Sequence, residues 1–166
     1  INGSNFIDGF NGLLIIHLIL INSILLFIYL YYQEINFSLF LTGQIFIMFC
    51  FLLFNFPSAK IFMGDGGAYL FGAVTSLNII NTSINYPNIS PIFFVVILFY
   101  LFFEVFFSFL RKLKKGTSPL QPDSKHLHML LFKFFKNICN FKNSNPYTSL
   151  SINIFYAISL IPPLIF

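Results

Sequence analysis

Three short stretches carry residue types that could do chemistry together. In FMGDGGAY (62–69), Asp65 is one of only five acidic residues in 166 and sits among glycines. A carboxylate is a ligand for hard divalent cations, and glycine lets backbone approach a ligand closely. In NGSNFIDGFNGLL (2–14), Asn2, Asn5 and Asp8 are spaced three apart, with Gly9 and Gly12 following. Both acids stand where an apolar helix begins, and a helix N-terminus offers free N–H groups and partial positive charge suited to phosphate. Each stretch alone also reads as an Asp cap with glycine in a turn. The third, QPDSKHLHM (121–129), holds Asp123, His126 and His128. Residues i and i+2 point about 200° apart on a helix but share a side in extended backbone. Pro122, with a cap at Asp123 or Ser124, leaves the local conformation open. A zinc-type site stays open although no third or fourth ligand stands out; phosphate recognition or proton handling is the preferred reading of the pair.

Other polar residues rank lower. His17, inside an apolar run, reads as a hydrogen-bonded bundle residue. Glu104 is an acid within an apolar run and therefore a functional candidate; orienting, structural and catalytic roles all stand. Arg111 lies seven residues, about two turns, beyond it on roughly the same face. Asn55, ahead of Pro57, can shape its loop.

The elements that must position these residues belong in a bilayer. The chain is 57% hydrophobic and 8% charged, whereas soluble domains carry roughly 25% charged residues. A spanning helix needs about 20 apolar residues. Gly12–Tyr32, Phe37–Phe54, Gly67–Asn81, Pro91–Leu110 and Tyr147–Phe166 are the candidate spans, with Pro162-Pro163 expected to kink the last. The expected fold is thus all-α and integral to the membrane: about five transmembrane helices plus a cytoplasmic amphipathic helix, part of a larger multi-span bundle. All nine basic residues fall at Lys60 or between Arg111 and Lys142. The positive-inside rule then puts loops 1–11, 55–66 and 111–146 on the cytoplasmic side, and all three polar stretches with them. RKLKKG (111–116) is a juxtamembrane anchor. Apolar residues at 127, 130, 131, 134, 135 and 138 give the amphipathic helix. Cys50 and Cys139 read as buried, inert thiols. The chain starts at Ile1 and ends in an apolar run, so residues 1–166 are expected to be the C-terminal part of one longer multi-span domain.

Together the stretches resemble the polyprenyl-phosphate N-acetylhexosamine-1-phosphate transferases, glycosyltransferase family 4, which includes the phospho-N-acetylmuramoyl-pentapeptide transferase. NGSNFIDGFNGLL is similar to the family's Asn-rich Asp-Gly motif, KIFMGDGGAYLFG to its metal loop and SPLQPDSKHLHML to its histidine loop. The Glu104–Arg111 interval also agrees, and the resemblance runs from Asn2 to about Leu131. It implies attack of a polyprenyl phosphate on the β-phosphorus of a UDP-sugar, releasing UMP, in cell-wall or O-antigen synthesis. It further implies Mg²⁺, with Mn²⁺ as a substitute, held by Asp65 as metal ligand. Asp8, Asp65, His126 and His128 become the catalytic set. Asn5, Asn11, Asn55, Phe62, Gly64 and Asp123 become substrate-binding residues, Phe62 by stacking on uracil. The expected partners are a UDP-N-acetylhexosamine such as UDP-GlcNAc, undecaprenyl phosphate and membrane lipid, without nucleic acid. A homodimer is an allowed assembly, and the expected location is the bacterial inner membrane with the site facing the cytoplasm.

Three departures qualify the resemblance. Asn11 replaces a second aspartate common in the family, and Met129 follows His128 where a third histidine often stands. That favours the N-acetylhexosamine branch over the pentapeptide transferase. The family's adjacent aspartates in an earlier loop are absent, so they are expected upstream of Ile1 and the chain alone is expected to be inactive. The alternatives are a degenerate, non-catalytic relative that binds carrier lipid or an assembly partner, and a transporter. A transporter would gather its polar residues at the bilayer midplane, whereas these gather at one interface.

Overall fold

A computed structural model describes residues 1–116, 125–139 and 142–161. Within them the chain is helical: α1 (Asn2–Ile7), α2 (Leu13–Tyr31), α3 (Ile35–Asn55), α4 (Gly64–Asn85), α5 (Pro91–Ile97), α6 (Phe99–Lys114), α7 (Leu127–Asn137) and α8 (Ser144–Ser159). No strand occurs among the described residues. The all-α membrane fold expected from composition is the fold observed.

The number of spans is lower than the five expected. Among the described residues two helices, α2 and α3, are long and apolar enough to cross a membrane. A third is added if α5 and α6, bent by 70° at Leu98, count as one broken span. The Pro91–Leu110 run therefore does not form the straight helix expected of it. α4 is long at 22 residues, but Gly66, Gly67, Thr75, Asn78, Asn81 and Thr82 dilute its hydropathy. α8 has 16 residues, with Ser, Asn and Thr through its first turns; the Pro162-Pro163 kink lies outside the described residues.

Lipid tails are as apolar as leucine, so packing and hydrogen bonds, rather than water exclusion, must hold helices together there. Both are visible. α2 packs against α3, α4 and α8 and buries Leu13, Leu14, Ile15, Leu18, Ile21 and Leu25 completely or nearly so. Phe46, Leu53, Leu70 and Phe102 face outward, exposed on the bundle surface. Inside, Asn22 Nδ2 donates to Leu18 O (2.8 Å) and Thr75 Oγ1 (2.9 Å). Asn78 Nδ2 donates to Asn22 Oδ1 (2.9 Å) and Gln44 Oε1 (2.7 Å). These bonds stitch α2, α3 and α4. His17 joins α2 to α8 through Nδ1 and Asn153 Oδ1 at 3.3 Å, and packs on the Tyr156 ring at 4.0 Å. It is the bundle residue anticipated.

α1 was not anticipated; Asn, Gly and Ser are poor helix formers. It forms because it is wedged against α4 and α6. Gly3 is buried so closely that a methyl group on it would lie 2.7 Å from Leu101 O. Next to it Ser4, 1% exposed, lies against Gly72 of α4. Small residues let these backbones meet, and that contact sets where the chain emerges at Asp8.

Candidate functional site

Asp8 caps α1 and opens the turn Gly9–Gly12 into α2. The turn is held on both sides. Gly12 has φ +77°, a left-handed conformation open to glycine, and its N–H donates to Asn55 Oδ1 at 2.6 Å. Asn55 Nδ2 in turn donates to Ile61 O at 2.8 Å. Both ends of the Asn55 amide thus join the Asp8 turn to the loop before α4, the loop-shaping role its place before Pro57 suggested. Asn11 is committed similarly: its N–H donates to Asn145 Oδ1 (2.9 Å) and its Nδ2 to Pro57 O (2.8 Å).

Asp65 stands exposed in the first turn of α4. Gly64 just before it has φ +65°, and the space beside Gly66 is open. Asn5 Nδ2 donates to Tyr69 OH at 3.0 Å, tying α1 to α4 one turn past Asp65. Asp8 and Asp65 are close enough to sense each other. Burial first, and then the charge of Asp65, pushes the Asp8 carboxyl from 3.8 up to about 6. Two like charges held together, one half-buried, favour either a proton or a cation between them. Phe62, 78% exposed, stands free in the same loop.

The histidine station joins this turn from the other side. His126 is extended, with φ −68° and ψ 152°, and His128 lies in the first turn of α7. That change of conformation brings their rings parallel, 5.3 Å apart and 1° from coplanar orientation. Both are buried, at 7% and 2% exposure. Glu104 of α6 sits between them: Oε2 accepts from His126 Nδ1 at 2.9 Å, and Oε1 lies 3.6 Å from His128 Nδ1. Phe6 and Phe10, flanking Asp8, meet the two rings edge-on at 5.5 and 5.4 Å. A methyl group on Gly9 would lie 3.8 Å from His128 Nε2, so that nitrogen looks onto the Asp8 turn. α1 and its turn therefore connect the carboxylates and the histidines.

Asp123 lies outside the described residues. Tyr69, which holds the Asn5 side chain, and Asn145, which holds the Asn11 N–H, carried no signal in the sequence beyond being polar. Lys136 and Lys142 were read only as topology charges, yet with Asn11, Ser58 and Asn145 they line a cleft of about 440 Å³. An apolar groove of about 520 Å³ between α6, α7 and α8 reaches Leu127, next to His126.

No group of three or more His, Cys, Asp or Glu side chains is arranged to hold a metal among the described residues. Mg²⁺ is held through one or two carboxylates and completes its shell with water and substrate phosphate oxygens. Asp8 and Asp65 fit such an ion.

A profile of glycosyl transferase family 4 matches residues 1–83, half of the chain. An undecaprenyl-phosphate alpha-N-acetylglucosaminyl 1-phosphate transferase of Thermotoga maritima is 32% identical over 128 residues, 77% of this chain and 38% of that protein. A decaprenyl-phosphate N-acetylglucosaminephosphotransferase of Mycobacterium leprae is 30% identical over 158 residues, 80% of this chain and 38% of its own length. A probable undecaprenyl-phosphate N-acetylglucosaminyl 1-phosphate transferase of Bacillus subtilis is 31% identical over 85 residues, 51% of this chain and 24% of that protein. The matched stretch thus spans well under half of each relative. No solved structure matches significantly. The profile covers both acidic stretches with the spans that carry them, and on that match the chain belongs to glycosyl transferase family 4.

Proposed function

We propose that this chain carries much of the active centre of a membrane transferase that moves N-acetylhexosamine 1-phosphate from a UDP-sugar to a polyprenyl phosphate. The observation that carries the reading is the meeting of Asp8, Asp65 and the His126–His128 pair around one turn. Relatives whose names specify N-acetylglucosamine and undecaprenyl or decaprenyl phosphate support the transferred group and the acceptor.

In the reaction, an oxygen of the acceptor phosphate bonds to the β-phosphorus of the UDP-sugar. The bond from that phosphorus to the bridging oxygen breaks, and UMP leaves with the electron pair. The chemistry is mostly positioning and charge stabilisation. Asp65, exposed at the start of α4, and Asp8 would hold Mg²⁺, or Mn²⁺ in its place. When bound, the ion would offset charge on the diphosphate and the departing UMP. Asp8 would stand beside the acceptor phosphate at that ion; in the metal-free protein its carboxyl is pushed up to about 6 by burial and then by the charge of Asp65. His126 and His128 would contact the diphosphate or the sugar. Phe62 offers an exposed ring for the uracil to stack on. The groove that reaches Leu127 suits the carrier's isoprenoid tail, and Lys136 and Lys142 make the same end of the bundle attractive to anions. The basic connections support an orientation with this face towards the cytoplasm of a bacterial inner membrane. A homodimer would be compatible with the outward apolar faces.

The test is transfer of radiolabel from UDP-GlcNAc, and in parallel from other UDP-N-acetylhexosamines, into the organic-soluble lipid fraction by membranes containing the full-length protein. Labelled lipid that requires polyprenyl phosphate and disappears with His128→Gln is the expected result. No labelled lipid from any donor would overturn the reading, in favour of a lipid-binding relative without turnover.

A further inference from the structure

Glu104 is 3% exposed within an apolar helix. A carboxylate there is costly unless it is paired and hydrogen-bonded. Three of its contacts belong to one short stretch of another helix. Besides His126 Nδ1 at 2.9 Å, it accepts the Leu127 N–H at 3.0 Å, and His128 Nδ1 is 3.6 Å away. Leu127 is the first residue of α7, whose N-cap, His126, makes no side-chain cap bond of its own. Glu104 thus caps α7 from outside, where a negative charge also suits the helix dipole. The ring of His126 is turned towards α6 instead of back over its own helix.

We propose that Glu104 is a positioning residue serving both histidines. Its carboxylate keeps the proton on Nδ1 of His126 and draws His128 into the parallel arrangement, so that the Nε2 edges are left for the substrate. This rests on the transferase reading above. A carboxylate behind a histidine fixes tautomer and ring orientation through the nitrogen the substrate does not use. The Phe6 and Phe10 edges block rotation from the other side. The bend at Leu98 matters as well, because it sets the direction in which α6 carries Glu104 to α7.

The test uses full-length protein in native membranes or nanodiscs, with Glu104→Gln and Glu104→Leu. Glutamine keeps the shape and one acceptor, while leucine is a tolerated apolar filler in a spanning helix. A side chain that aligns a reacting group is felt in kcat, whereas a merely structural one is felt in the amount of folded protein. We expect kcat to fall on the order of 10- to 100-fold for Glu104→Leu, less for Glu104→Gln, with KM for UDP-GlcNAc near wild type. In ¹⁵N-histidine spectra, the His126 signals, assigned by their loss in His126→Gln, should leave the Nδ1–H pattern in Glu104→Leu. Wild-type kcat together with unchanged histidine signals in both variants would overturn the proposal. If the wild type itself transfers no sugar phosphate, the transferase reading falls; the histidine spectra then decide the positioning claim alone, a retained Nδ1–H pattern in Glu104→Leu refuting it.

Discussion

Replacing Asn78 by alanine tests whether the bundle is held by its internal polar network. Asn78 is 4% exposed and its Nδ2 donates two bonds, to Asn22 on α2 and to Gln44 on α3. Removing it leaves Asn22 Oδ1 and Gln44 Oε1 without their donors. Among the described residues Gln44 Nε2 has no partner, so there that amide would lose its one hydrogen bond, the one from Asn78. Interhelical hydrogen bonds in membranes are worth about 0.6 kcal/mol each on average and up to about 1.7. Two such bonds give a loss of about 1–3 kcal/mol. The assay is reversible unfolding of the full-length protein in mixed micelles with increasing SDS, followed by circular dichroism. Asn22→Ala and the double variant complete a cycle, and the double variant should cost less than the sum of the singles because they share one bond. A loss under about 0.5 kcal/mol for Asn78→Ala, or strict additivity in the cycle, would refute the reasoning. The packing of apolar side chains alone would then hold α2, α3 and α4.

Two further outcomes follow from the site. The Asp8 carboxyl is raised in the folded state from 3.8 to about 6, by burial first and then by the charge of Asp65. Its contribution to stability is therefore present in full below pH 3.8 and is lost as pH rises through about 6. Unfolding titrations without divalent ions should show that decline in the wild type and a flatter profile for Asp8→Asn; equal slopes would contradict the placement of Asp8. Phe62, 78% exposed, should be replaceable by alanine with stability within about 0.5 kcal/mol of wild type, while KM for the UDP-sugar rises. An unchanged KM would remove it from the nucleotide site.

Much of this was legible in the residues. α2 and α3 stand out because their apolar runs lack any charge, and α7 because its apolar residues recur at helical spacing. α4 runs from Gly64 to Asn85, further than its apolar stretch, because Thr75, Asn78 and Thr82 are buried against other helices rather than in lipid. Hydropathy counts such residues as polar wherever they point. The break at Leu98 has no proline or glycine to announce it, and α1 exists through the contact of Gly3 with Leu101 and of Ser4 with Gly72. Neither tertiary cause is visible locally. The three polar stretches could be picked out by composition alone. That His126 and His128 share a side could not, since it depends on an extended residue leading into a helix. Nor could Glu104 be ranked between catalytic and orienting roles without the distances to both rings.

The central claim is that Asp8 and Asp65 form the ion-holding corner of a UDP-sugar:polyprenyl-phosphate transferase. Its most direct test is UMP release by full-length protein with UDP-GlcNAc and polyprenyl phosphate as Mg²⁺ is varied, for wild type and Asp65→Asn. Saturable, Mg²⁺-dependent UMP release is expected in the wild type, with a loss of at least about 100-fold in the variant, the scale of a lost electrostatic contribution to the transition state. UMP release that is indifferent to Mg²⁺, or that survives in Asp65→Asn, would contradict the claim.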